Sequence, residues 1–194
     1  STQSTGIKLL TLFILIVTSI LFFKISNKKE PTERQKQYRN KLVALCEEKF
    51  SEEKHDNLLQ ILKDKYEITN DWALMGFQRH DNPTTDFRAF GILALYSLIE
   101  SEAYKQLKYY KTYNAQELPY ALTYINIGFQ LLCKLKEDKF LAKYPFSTED
   151  MVIKDFSRYV DTEFLQFEKY WLKTNPINIM SYNQVFKQFW KKYK

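Results

Sequence analysis

The sequence predicts an all-α chain, with a single transmembrane helix at the N-terminus followed by a compact multi-helix domain, and three observations carry that reading. Beyond residue 31, apolar residues recur at three- and four-residue steps, the period of one helix face, while sustained strand-type alternation is absent. Leu9–Phe23 is an unbroken uncharged apolar run framed by Lys8 and Lys24. Of 194 residues, 45% are hydrophobic and 16% aromatic, with four glycines and five prolines, which excludes collagen-like, Pro/Gly-rich and disordered classes.

Taken in order, Leu9–Phe23 rises about 22 Å as helix, and snorkelling lysines at both ends lengthen its reach toward a hydrocarbon core of roughly 30 Å. No small-x-small cleavage site follows Phe23, so an uncleaved anchor is expected rather than a signal peptide. Residues 1–30 are assigned to this anchor with its basic arm, and residues 31–194 to the helical domain. Pro31 and Thr32 open the first domain helix, with Leu42, Val43, Leu45, Cys46 and Phe50 as its apolar positions. A second is expected at about 52–66. Thr84 or Thr85 is expected to cap a long helix through Ile92, Leu95 and Leu98, with Ser101 restarting helix for 103–110. Pro119 starts another, carrying Ile125, Ile127, Leu132 and Leu135. Ser147 with Asp150, and Ser181 with Gln184, read as capping boxes for the last two helices.

Charge is uneven. Residues 1–43 carry eight bases against two acids, and the rest balances at 21 of each. The last stretch, after Glu168, has six lysines and no acid, so an acidic middle is bracketed by basic ends. Basicity confined to arms, without a recognisable module, argues against nucleic acid as a partner. Bases on the C-terminal side of the apolar run place the domain on the cytosolic or matrix side. Cys46 and Cys133 are expected as buried free thiols. His55 and His80 lack metal-ligand spacing, and no Gly-rich phosphate loop, nucleophile elbow or C-x-x-C occurs, so neither a metal site nor a cofactor is expected.

Three segments are more specific than periodicity. The first is Trp72-Ala-Leu-Met-Gly76-Phe77-Gln78, then Pro83-Thr-Thr85-Asp86-Phe87-Arg88, then Gly91, Leu95 and Leu98. The second is Leu118-Pro119-Tyr120-Ala121 with Ile125-Asn126, and the third runs from Phe164 through Trp171, Pro176, Ile179-Met180 and Tyr182-Asn183 to Val185. Together they resemble the ELMO domain, the module of the engulfment and cell motility proteins and of the smaller ELMO-domain-containing proteins. In the smaller proteins the resemblance implies a GTPase-activating domain for Arf-family GTPases, whose activity depends on the motif arginine, here Arg88. In the larger ones it implies part of a scaffold. Two positions depart from the family pattern: four residues separate Gln78 from Pro83 where three are usual, and Ala89 stands where glycine normally follows the arginine.

The residues also have plainer readings. Trp72, Phe77 and Phe87 are expected in the core, Gly76 as a helix C-cap, Gln78 as a loop brace, and Arg88 in an ion pair with Asp86. The preferred function is a non-catalytic accessory or scaffold subunit of a membrane complex, in the mitochondrial inner membrane or an endomembrane, with membrane lipid and neighbouring subunits as partners. The alternative is a GTPase-activating protein acting through Arg88 on an Arf-family GTPase.

Overall fold

The computed structural model describes residues 30–107 and 118–193. Every regular element among them is helical: α1 (Glu33–Glu47), α2 (Glu52–Lys65), α3 (Gly91–Glu100), α4 (Tyr120–Leu135), α5 (Asp138–Leu141), α6 (Val152–Thr174) and α7 (Tyr182–Trp190). Short 3-10 turns join them, at Trp72–Met75, Thr84–Ala89, Ala103–Gln106, Ile179–Ser181 and Lys191–Tyr193.

The central element is α3, because its sequence is apolar on every side and such a helix is stable only when surrounded. It packs against α1, α2, α4 and α6, and Ile92, Leu93, Leu95 and Leu98 have no exposed surface. Its predicted start at Thr84 or Thr85 is corrected. Those threonines fall in a separate 3-10 turn, and α3 begins at Gly91, whose φ of +56° turns the chain by a route that L side chains rarely take. A Cβ there would lie 2.2 Å from the Cys46 carbonyl oxygen and 2.6 Å from that of Glu48. The Ile92 amide donates to the Glu48 carbonyl at 2.8 Å, so the end of α1 fixes where α3 starts.

The first helix begins as expected, with Thr32 and Gln35 forming a reciprocal capping box. The other two boxes do not form. The Ser147 amide donates instead to the buried Asp155 carboxylate at 2.7 Å, and Ser181 makes no side-chain cap. At the opposite end of α3 lies a polar knot: the Tyr120 hydroxyl donates to Ser101 Oγ (2.7 Å), which donates to Asp161 Oδ1 (2.6 Å). The Glu102 amide donates to Asp161 Oδ2 at 2.9 Å. Burial still holds the Asp161 carboxyl above the usual carboxylate range, although these bonds favour its charged form.

The expected transmembrane helix is also corrected. Leu9–Phe23 lies outside the described residues, and among those described no helix is long and apolar enough to cross a membrane. The apolar α3 has ten residues, about 15 Å of rise. The long α6 is amphipathic, with eight charged side chains. This finding argues against the expected single-pass anchor, which the siting in the mitochondrial inner membrane or an endomembrane assumed.

Candidate functional site

Two 3-10 turns and the loop between them form a self-braced unit seated on the N-terminus of α4. Asp71 opens the first turn, accepting from the Ala73 amide at 2.9 Å and bonding His80 Nδ1 at 2.8 Å. The Trp72 amide donates to the His80 carbonyl at 3.0 Å, closing the loop on itself. Gly76 ends the turn in the left-handed conformation (φ +95°), and a Cβ there would fall 2.3 Å from the Tyr120 nitrogen. Its carbonyl accepts from the Leu122 amide at 3.2 Å. Only glycine permits this approach to the start of α4.

The aromatic residues of the motif interlock below the loop. Phe77 meets Trp72 edge-on with centroids 5.6 Å apart and Phe87 at 6.1 Å, while Phe87 also faces Phe50 at 6.1 Å. Trp72, Phe77 and Phe87 are buried, Pro83 is buried, and Thr85 is half-buried. Asp86 is buried as well, and its Oδ2 accepts the Gln78 amide at 2.8 Å. Burial pushes the Asp86 carboxyl above its ordinary range, against the opposing pull of that amide and of the Arg88 charge. Its Oδ1 has no hydrogen-bond partner. Between Gln78 and Pro83 the four intervening residues form an exposed turn. Arg79 grips Asp81 through two bonds of 3.0 and 2.9 Å, and Asn82 Oδ1 accepts from the Thr84 amide and hydroxyl at 2.8 and 2.6 Å.

The expected Asp86–Arg88 ion pair is absent. Residues two apart on a helical turn do not share a face, so Asp86 points inward and Arg88 outward. Arg88 is exposed and makes no hydrogen bond or ion pair among the described residues. It borders a cleft of about 660 Å³ with Cys46, Glu47, Lys49 and Phe50 from the α1–α2 junction, and with Thr84, Phe87 and Gly91. No local pattern signals that Glu47 and Lys49 share a cleft with Arg88, because that proximity comes from α1 packing against α3. Cys46 is half-buried rather than buried, with its thiol pushed up by desolvation, and Cys133 is half-buried too.

Gln78 is not brought to the arginine. Its exposed side chain lines a second cleft of about 590 Å³, with Leu74 and His80 from the motif loop, Pro119 and Leu122 from α4, and Ile179. The edge-to-face pair of Phe77 and Phe87 lies between the two clefts, since Phe77 lines one and Phe87 the other. Among the described residues no cluster of three or more His, Cys, Asp or Glu side chains is placed to hold a metal ion. The chemistry on offer at Arg88 is a planar guanidinium with forked donors and no hydrogen-bond or ion-pair partner among the described residues, held on a turn whose neighbours are locked.

The family model described as ELMO/CED-12 family matches residues 25–186. The chain is 30% identical over 138 residues to ELMO domain-containing protein B of Dictyostelium discoideum, covering 68% of this chain and 47% of that protein. It is 31% identical over 134 residues to ELMO domain-containing protein 2 of Mus musculus, covering 66% and 45%. The Homo sapiens protein of that name is 28% identical over 136 residues, again covering 66% and 45%. The chain thus spans about half the length of the curated relatives it matches. No solved structure matches it significantly.

Proposed function

We infer the function from one premise: the chain belongs to the ELMO/CED-12 family. On that premise the domain is a GTPase-activating module for an Arf-family GTPase. Arg88 is inserted in trans, where its guanidinium stabilises the negative charge that develops as the γ-phosphoryl group is transferred to water. Its forked donors suit phosphoryl oxygens.

The observation that carries this reading is the state of Arg88: exposed, without a hydrogen bond or ion pair among the described residues, and bordering a cleft, while Asp86 and Phe87 are buried and anchor the turn from within. A guanidinium intended for another protein's active site must be free of its own, and a fixed backbone spares it ordering entropy on docking. The scaffold reading expects the reverse, with Arg88 engaged by Asp86 or by backbone carbonyls. Asp86 is committed to Gln78 instead. The extra residue between Gln78 and Pro83 is absorbed in an exposed turn braced by its own side chains, so it is compatible with a fixed Arg88.

The test is single-turnover GTP hydrolysis by a panel of Arf-family GTPases with the purified chain. Stimulation is expected with at least one, and Arg88→Lys should remove about 10³-fold or more of it, the order that a trans arginine contributes. Undiminished stimulation by Arg88→Lys would sink this assignment.

A further inference from the structure

We propose that the apolar cleft beside the motif loop, with the segment Ile177–Met180 at its edge, is the docking surface for the GTPase. The proposal rests on the reading of Arg88 given above and adds where the partner is held. Among the described residues, six large apolar side chains are exposed, and five of them lie at Leu74 or within 172–180. Ile177 and Met180 are each 85% exposed, Leu172 56% and Leu74 49%. Leu74 and Ile179 line one cleft, together with Pro119 and Leu122. Scattered apolar side chains need no explanation, but a cluster flanking a concave apolar surface marks an interaction site.

The occupant follows from position and charge. The turn that presents Leu74 ends at Gly76, and Phe77, next in the chain, meets Phe87, the neighbour of Arg88, edge-on. The motif loop thus carries the cleft at its Leu74 end and Arg88 at the other, so a protein seated on the cleft docks on the loop that holds the arginine. Inside the cleft the Asp71 carboxylate is bonded to His80. Lys173 is exposed within the same stretch, and no acid occurs from 169 onward. Such a rim suits a partner with an apolar centre and an acidic border. It disfavours a second copy of this chain, because a two-fold contact would set lysine against lysine. A concave lining that includes a carboxylate also fits a protruding protein side chain better than a sheet of anionic headgroups.

The experiment uses the purified 194-residue chain with an Arf-family GTPase loaded with a non-hydrolysable GTP analogue for binding, and with GTP for single turnover. The variants are the double substitution Ile177→Asp with Met180→Asp, the single substitution Leu74→Asp, Arg88→Lys, and Ile61→Asp as an exposed apolar control remote in sequence. All change exposed side chains, and circular dichroism confirms that each folds. The docking variants should raise the half-saturating concentration at least about tenfold while leaving the rate at saturation unchanged, and Ile61→Asp should change neither. Arg88→Lys should do the opposite, keeping affinity and losing the saturated rate. Wild-type affinity in the docking variants alongside a dead Arg88→Lys would overturn the docking surface and leave the reading of Arg88 standing. Lost affinity in the docking variants with a fully active Arg88→Lys would overturn the role of Arg88 and keep the surface. Absence of GTPase binding by the wild-type chain would overturn the proposal. So would binding to phosphatidylserine vesicles, or concentration-dependent dimerisation, that the docking substitutions abolish without touching GTPase affinity.

Discussion

Gly91→Ala should be among the most damaging single-methyl additions available in this chain, and its cost can be assembled from three terms. The φ of +56° is a left-handed conformation, which costs an L residue about 1 to 2 kcal/mol. The added Cβ would fall 2.2 Å from the Cys46 carbonyl oxygen and 2.6 Å from that of Glu48, both backbone atoms with no rotamer to yield. Forcing them apart is an overpacking defect of about 1 to 3 kcal/mol. The movement also stretches the 2.8 Å bond from the Ile92 amide to Glu48, worth about 1 kcal/mol. The sum is about 3 to 6 kcal/mol, a large share of a typical domain's 5 to 15 kcal/mol. Urea denaturation followed by tryptophan fluorescence would measure it. Gly91→Asn separates the terms, because asparagine tolerates the left-handed region yet carries the same Cβ. It should cost nearly as much as alanine if the clash dominates. A loss under about 1 kcal/mol for Gly91→Ala would refute the claim that the α1 carbonyls fix the start of α3.

Other outcomes follow from the same geometry. Trp72→Ala, removing a buried ring that meets Phe77 edge-on, should cost about 3 to 5 kcal/mol in thermal or chemical denaturation. Asp155→Ala should cost about 2 to 4 kcal/mol, because it leaves the Ser147 amide without its acceptor and removes a fully buried carboxylate that also pairs with the exposed Arg158. The Asp161 carboxyl is raised in the folded state, so the native protein holds its proton more tightly than the unfolded chain. Stability from this group is therefore greatest at acid pH and falls as pH rises from the ordinary carboxylate value through the raised one; in Asp161→Asn that portion of the pH profile should flatten. Cys46, half-buried with its thiol pushed up, should alkylate with iodoacetamide more slowly at pH 8 than a free cysteine.

How much of this was legible in the sequence depends on whether a feature is set by neighbours in the chain or by packing. The starts of α1 and α4 follow local signals, Pro31 and Thr32 for the first and Pro119 ahead of Tyr120 for the second. Gly76 as a C-cap and the buried motif aromatics were equally readable, since a glycine after a short apolar turn and rings in a periodic run have few other uses. The failures are places where a distant group outcompetes a local one. Ser147 and Asp150 have the spacing of a capping box, yet the buried Asp155 takes the Ser147 amide. The predicted single helix from Thr84 is cut at Gly91 because α1 lies across its path.

The arginine shows the same distinction at the candidate site. Proximity in sequence makes Asp86 the natural partner of Arg88, and that pairing would have silenced it. The second 3-10 turn instead sends the two side chains to opposite faces, and the inward one is occupied by the Gln78 amide. Asp86 thus anchors the loop from inside at the cost of a buried carboxylate with one unsatisfied oxygen. A stability-driven sequence would do better with asparagine or a small apolar residue there. A carboxylate at that position is explained by what it does for the site: it fixes the Gln78 end of the loop without occupying the guanidinium. Asp86→Asn should then leave the fold near wild-type stability while loosening the Gln78–Asp86 bridge, and amide hydrogen exchange at Gln78 would report it. Unchanged protection at Gln78 would show that the aromatic stack of Phe77 and Phe87, rather than the carboxylate, holds the loop in place.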